Sequence, residues 1–449
     1  MPCRPPLSSL LAALAVIVTP GLVPAPLAHA EGAPAQTLTL AQAVDQALAH
    51  QPTLRQAHAN TDAAQGRVEQ ARSGYLPHLT ATGTYQRTTA NFAPRPGSNP
   101  TLQTAAPTST RTYDFFTFGA SASQLIYDIG QTTGKWRSAE ASRDATVATA
   151  QQTELQVMVA VERAYFQALA QRQLVQVARD GVANQEKHVA QVRGLVSAGL
   201  RPDIDLARVR TDLANARVTL ITAENGEAVA RALLDQAIGG RPPEAGPLAL
   251  VEAPADPIAG EAGPLEALLD SAYAARPELA TIARARRAQE ETVRSVRGTY
   301  WPTLEAIAGA TESGTALDHL VPNWLVGATL TWPILQGGFT RGQVREARAT
   351  LTGIEAQEEG LRLQVRVDVE QAQLAVRAAQ AAGGAAAEAV ASAGDQLRLA
   401  EARYTSGLGN AIELGDAQLA ATGAAAQAVT ARYDLAIARA QLGGALGRR

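Results

Sequence analysis

The chain has 449 residues, a formal net charge of −3, 18% charged and 4% aromatic residues, and one cysteine. So slight a charge argues against a nucleic-acid partner or a polybasic membrane patch, and a single cysteine excludes a disulfide framework. Few rings and abundant alanine suit long helices packed through small residues better than a bulky globular core.

Residues 1–30 read as a signal peptide. Arg4 gives a positive start, Leu10 to Val18 an apolar run, and Ala28-His29-Ala30 a small-residue cleavage site, so cleavage is expected after Ala30. The run is shorter than the ~20 residues a membrane span needs. Cys3 leaves with the leader, so the mature chain is cysteine-free and has no thiol chemistry. No later stretch reaches ~18 uncharged apolar residues, and no spanning helix is expected.

Beyond the leader the chain repeats itself. Pro52 answers Pro277, and Tyr75-Leu76-Pro77 answers Tyr300-Trp301-Pro302, both at an offset of 225. Further on the offset is 208: Ala198-Gly199-Leu200 answers Ser406-Gly407-Leu408, and Ile204-Asp205-Leu206 answers Ile412-Glu413-Leu414. The offset shortens between these anchors, where the first copy carries a polar insert, Asn91 to Arg111. The division is therefore a first structural repeat at 31–240, a Pro/Gly/Ala-rich linker at 241–263, and a second repeat at 264–449.

In chain order, a helical stretch from Leu40 to Ser73 precedes a period-2 run. Leu79, Ala81, Gly83 and Tyr85 share one face, and His78, Thr80, Thr82 and Thr84 the other. The pattern predicts strands at about 77–89 and 113–127, with Phe116, Phe118, Ala120 and Ala122 on one face. The second copy predicts strands at about 302–311 and 324–335. In its return strand Trp324 and Trp332 lie eight steps apart, roughly 27 Å at ~3.4 Å per residue. Tilted by about 40°, that approaches the ~25 Å apolar band that aromatic girdles flank in outer-membrane barrels. Trp324 and Trp332 are the expected girdle.

Long helices follow. From Ser138 to Val196 no proline occurs, and Val161, Ala168, Val175, Val182, Val189 and Val196 recur at a stride of seven. The second copy gives Val369, Val376, Gly383, Val390, Leu397 and Tyr404. Sustained heptads predict coiled-coil packing, in a rod of roughly 90 Å. Gly383-Gly384 marks a soft point or a close helix approach. The rods turn at Ser197–Asp203 and Thr405–Ala411, where Gly199 and Gly407 suit a left-handed residue after a helix end. Shorter helices return from about Ile204 and Ile412.

Four strands cannot close a barrel, and an open sheet edge cannot face lipid. The chain must therefore assemble; two copies give eight strands and three give twelve, and strand arithmetic does not choose.

The tandem halves, the Tyr-Leu-Pro and Tyr-Trp-Pro approaches to the strands, the strand exits Tyr127-Asp128-Ile129-Gly130 and Leu335-Gln336-Gly337-Gly338, and the Gly-Leu turns resemble the TolC-type outer-membrane efflux family. The resemblance covers Leu38 to Gly447. It implies a mainly α fold with membrane β structure: a homotrimer with a twelve-stranded outer-membrane barrel continued by a twelve-helix periplasmic α-barrel. It implies an export duct in the outer membrane that extends into the periplasm. A periplasmic adaptor and an inner-membrane pump, proton-driven or of ABC type, would feed it drugs, small solutes or secreted polypeptides. By position it also implies that the turns Ala198, Gly199, Leu200 and Ser406, Gly407, Leu408 dock the adaptor. Asp205, Tyr404, Glu413 and Asp416 would belong to a periplasmic gate. Glu413 and Asp416 share a helix face and in a trimer would make a cation-favouring ring of six carboxylates. The family's locking arginine is replaced by Gly409.

No catalytic constellation occurs. The five mature histidines (His50, His58, His78, His188, His319) lack metal-ligand spacing, and no phosphate loop or nucleophile elbow is present. A channel without enzymatic activity, cofactor or metal is expected. Two other readings stand beside it: a periplasmic coiled-coil adaptor or scaffold, and a structural outer-membrane protein.

Overall fold

The structure, a computed structural model, describes residues 36–89, 112–240, 248–254 and 256–448. The leader at 1–30 and the polar insert at 91–111 lie outside the described residues. Two long helices dominate: α3 (Gln131–Ser197) and α7 (Phe339–Thr405), each of 67 residues. At 1.5 Å per residue each spans about 100 Å. Among the described residues no helix is long and apolar enough to cross a membrane.

Shorter helices lie end to end beside each rod. In the first copy these are α1 (Leu40–His50), α2 (Pro52–Ser73) and α4 (Asp203–Ala237); in the second, α5 (Leu265–Ala275), α6 (Pro277–Gly298) and α8 (Ala411–Ala445). The single helix expected over Leu40–Ser73 is two. Pro52 lacks an N–H and forces the residue before it out of the helical region, so Gln51 is extended at φ −63°, ψ 122°. Its side chain then donates to Gln236 O and Ala237 O at 3.3 and 3.0 Å. That seats the start of α2 on the end of α4. Arg276, at the matching position of the second copy, donates to Ala445 O at 2.7 Å and pairs with Asp368 at 3.0 Å. Besides α2 and α4, α3 also packs along α6 and α8, which unites the two copies.

The linker is more than a connector. β1 (Gln36–Leu38) pairs in parallel with β4 (Leu248–Leu250), and α3 clasps the pair. Tyr165 donates to Leu38 O at 2.9 Å and Val251 O at 2.5 Å, and Arg172 to Leu250 O at 2.6 Å. The matching residues of the second copy repeat the device: Gln373 donates to Gly263 O at 2.9 Å, and Gln380 to the Glu261 carboxylate at 2.9 Å. Burial raises the pKa of Glu261, but the hydrogen bonds and charge of Arg439, the Ile258 amide and Gln380 outweigh it and hold the pKa low.

Buried clusters form around Tyr165, Leu169 and Leu234, around Leu269, Val365 and Leu442, and around Val192, Val209 and Tyr404. Val161, Ala168, Val175, Val189, Val369, Val376 and Tyr404 of the heptad seam are buried. Val390 is exposed instead, and Ala386, Ala393 and Ala400 take the buried positions. Alanine permits the closer approach there. α7 runs unbroken through Gly383-Gly384, with open space beside both.

At one end lies a four-stranded antiparallel sheet in the order β2 (His78–Thr89), β3 (Thr112–Tyr127), β5 (Thr303–Gly314), β6 (Val321–Thr331). The return strand, expected at 324–335, starts earlier and stops before Trp332. Pro333 follows Trp332 and has no N–H to give a ladder, whereas Pro322 is tolerated because β6 is an edge. Helix α3 begins after Ile129, a β-branched residue at φ 52°, where the second copy has Gly337 at φ 58°.

Candidate functional site

The register sorts the sheet into two faces. Leu79, Ala122, Ala308 and Val326 form one cross-strand row, and Ala81, Ala120, Ala310 and Trp324 the next. Tyr85 and Phe116 stack on the same face with ring centroids 5.1 Å apart. The opposite face carries rows such as Thr82, Gly119, Thr311 and Asn323. One apolar and one polar face, with two unpaired edges at β2 and β6, is a section of a barrel wall. Twelve residues at ~3.4 Å, tilted by about 40°, give some 30 Å of height, enough for the apolar band.

Trp324 sits toward the far end of β6 and is 77% exposed; Trp332 lies one residue past its near end, its indole N–H donating to Tyr300 O at 3.2 Å. The two do not stand alone. Tyr127, Tyr300 and Trp301, with Leu76, Ile126, Ile334 and Leu335, are exposed around the base of the sheet. Sequence reasoning missed this belt, although Tyr75/Tyr300 and Tyr127/Leu335 fall at the repeat offsets.

At the other end, about 100 Å away along the rods, the two turns come together. Both are Schellman motifs. Leu200 N–H reaches Leu195 O at 2.9 Å and Gly199 N–H reaches Val196 O at 2.9 Å; Leu408 and Gly407 repeat this on Arg403 O and Tyr404 O at 2.9 and 3.2 Å. Gly199 and Gly407 have φ of 71° and 76°, so a side chain at either strains the turn. Ala198 and Ser406 are the C-caps. Leu200 and Leu408 point outward, 70% and 78% exposed.

Behind the turns Tyr404 is 2% exposed, and its hydroxyl has no hydrogen-bond partner among the described residues. Burial raises its pKa; the Arg201 charge lowers it and the Asp205 charge raises it. Asp205 thus acts on Tyr404 through its charge and makes no hydrogen bond to it within the chain. Arg201 lies over the Tyr404 ring at 5.0 Å and donates to Gly409 O at 3.0 Å. Glu413 is paired with Arg403 at 3.0 Å, and its amide is capped by Asn410 at 2.7 Å. Asp416 is exposed one turn further along α8. The two acids share a helix face, but Glu413 is not a bare ring charge.

Sequence reasoning also passed over His188 of α3, 3% exposed and edge-on to Tyr404 at 5.5 Å. Neither ring nitrogen has a partner among the described residues. Burial lowers its pKa from 6.5 and the Asp212 charge on α4 partly restores it; Tyr404 faces it from α7, with Arg201 and Asp205 beyond. A histidine buried neutral favours the packed tip fully above about pH 6.5, and that contribution is lost as pH falls through the lowered folded value. We predict that amide exchange at 188–209, corrected for intrinsic rate, accelerates between pH 7.5 and 5, and that His188→Leu removes the dependence. An unchanged pH profile in His188→Leu refutes this role.

Among the described residues no group of His, Cys, Asp and Glu is placed to hold a metal ion. The family model "Outer membrane efflux protein" matches residues 43–240 and 268–448, one segment in each copy. The chain belongs to the outer membrane efflux protein family. It is 26% identical over 439 residues to "Outer membrane protein TolC" of Escherichia coli, covering 92% of this chain and 83% of that protein. It is 27% identical over 388 residues to "Protein CyaE" of Bordetella pertussis, covering 85% and 78%. Among solved structures it is similar to a membrane protein from Pseudomonas aeruginosa, with a TM-score of 0.79, 21% identity, and 91% and 90% of the two chains covered.

An outer membrane efflux protein resides in the outer membrane and serves export there. In this outer membrane efflux protein Gly409 of the second copy meets an arginine of the first. Arg201 stands at the equivalent place in the first copy, and its guanidinium reaches the Gly409 carbonyl itself.

Proposed function

We propose that three copies of this chain close a twelve-stranded barrel in the outer membrane and a helical tunnel beneath it. The duct then carries drugs, small solutes or secreted polypeptides from a periplasmic adaptor and an inner-membrane pump to the exterior. The observation that carries the reading is the four-stranded sheet, apolar on one face, with edge strands β2 and β6 both unpaired. An open edge is untenable in lipid, so neighbouring copies supply the missing partners. Exposed stripes favour the same assembly: Val218, Ile221 and Val229 on α4, and Leu363, Val367 and Leu374 on α7 are apolar and exposed in one chain. Leader removal after Ala30 fits export to that membrane.

The deciding experiment is insertion of the detergent-purified protein into a planar bilayer. Discrete, trimer-dependent conductance steps are expected. A chain that is monodisperse without detergent and carries no current overturns the reading.

In this assembly Asp205, Tyr404 and the acids Glu413 and Asp416 belong to the periplasmic gate, with Tyr404 buried behind its surface, and the turn residues meet the adaptor. Six carboxylates close together attract cations. The Glu413→Ala, Asp416→Ala double variant should lose cation preference and block by divalent ions. Because Arg403 already neutralises part of Glu413, Asp416→Ala alone should account for most of the change. Unaltered reversal potentials in the double variant remove the acid-ring assignment.

A further inference from the structure

A duplicated set of arginines lies beside the sheet, and its role rests on the sheet being a barrel wall. Arg72 is the penultimate residue of α2, and Arg297, its match in the second copy, is the penultimate residue of α6. Arg137 lies in the second turn of α3, and its match Arg345 lies at the same place in α7. The two separate offsets thus place arginine at matched positions on all four helices that meet the sheet. Every one of the four is exposed, and none of their guanidinium groups has a hydrogen bond or ion pair among the described residues.

Their setting is equally regular. Tyr300 N–H bonds to Arg297 O, and Tyr75 N–H to Arg72 O, so these two arginines sit one turn below the aromatic belt. Trp301 and Leu76 follow, and Ile126, Tyr127, Ile334 and Leu335 stand exposed above Arg137 and Arg345; Leu335 is 92% exposed. Two turns of helix are about 10 Å, and the headgroup layer beyond the hydrocarbon adds about 5–7 Å per leaflet. Arg72 and Arg297, one turn down, therefore lie at headgroup depth, and the long stems of Arg137 and Arg345, about a turn lower, let them reach upward into it. A guanidinium fork matches phosphate oxygens bidentately.

We propose that Arg72, Arg137, Arg297 and Arg345 form a collar that binds anionic glycerophospholipid headgroups in the periplasmic leaflet of the outer membrane. Charge complementarity selects this occupant: unpaired cations adjoin exposed rings and aliphatic side chains, the arrangement an interfacial lipid meets. In the proposed trimer the collar holds twelve arginines.

The test uses the full-length assembly reconstituted in phosphatidylcholine vesicles with spin-labelled phosphatidylglycerol or phosphatidylcholine as probe. The wild type should restrict phosphatidylglycerol about fivefold more strongly per site, the factor for one arginine near a charged surface. The preference should shrink in about 0.5 M salt. Arg72→Gln, Arg137→Gln, Arg297→Gln and Arg345→Gln combined should bring the ratio to about one, whereas the four lysine replacements should keep part of it. Arg87→Gln, on the far part of β2, should leave it unchanged. No preference in the wild type, or an undiminished one in the quadruple glutamine variant, overturns the collar while leaving the barrel intact. Failure of the wild type to enter the phosphatidylcholine vesicles overturns the barrel reading itself.

Discussion

A chain carrying glutamate at both Leu200 and Leu408 should reach the outer membrane in normal amount, assemble, and export nothing. Both leucines stand outward at the tip of a rigid turn, held by paired backbone hydrogen bonds and a glycine in the left-handed region. A leucine kept there in water gains nothing from folding. Substitutions at such exposed positions change stability by about 0.5 kcal/mol or less. An apolar anchor at the centre of an interface is worth about 2 kcal/mol or more when lost, and six turns ring the proposed trimer. Burying a carboxylate against an apolar partner surface adds a further penalty. Glycines 199 and 407 are the wrong targets, because any side chain there distorts the turn. Susceptibility to exported drugs, read beside the amount of assembled protein in the membrane, decides the matter. Normal export in the double variant frees the turns of any docking role; loss of the assembly makes them folding elements.

Much of this architecture was legible because the chain is written twice. Matched anchors such as Pro52 and Pro277 exposed the duplication without any contact being known, and a period of two along Leu79, Ala81, Gly83 and Tyr85 gave the sheet its faces. The β1–β4 belt was invisible because its two strands are very short and meet across the whole length of the first copy. Nothing local marks such a pairing. The break at Pro52 was overlooked because amphipathic spacing continues through it, while one missing N–H decides the backbone. At the tip, spacing located the turns and Tyr404. It did not reveal that Arg403 folds back onto Glu413 across the turn, nor that His188 is buried with no partner among the described residues. Those outcomes depend on how four helices converge, and no segment carries that information alone.

The same convergence supports the second large effect: Arg201→Ala should leave the tunnel's periplasmic end open at rest. The locking arginine that the resemblance implies near this turn is replaced by Gly409, which offers only a carbonyl. Arg201 of the opposite hairpin bonds to that carbonyl at 3.0 Å and covers the Tyr404 ring at 5.0 Å, so one guanidinium joins α3–α4 to α7–α8. A hydrogen bond from a charged donor contributes about 1.5–3 kcal/mol, and a cation over an aromatic ring about 0.5–2 kcal/mol. Losing both removes about 2–5 kcal/mol per protomer, a shift of roughly 30- to several thousand-fold toward the open form. Nothing compensates nearby among the described residues, since the Tyr404 hydroxyl has no partner and Glu413 is engaged with Arg403. Arg201→Lys keeps the charge but loses the planar fork and should fall between the two. Single-channel records should show the alanine variant in its high-conductance state without adaptor, and cells should admit a large antibiotic they otherwise exclude. If the resting conductance of Arg201→Ala equals that of the wild type, the two hairpins are held by their buried seam around Val192, Val209 and Leu414, and the cation is incidental to closure.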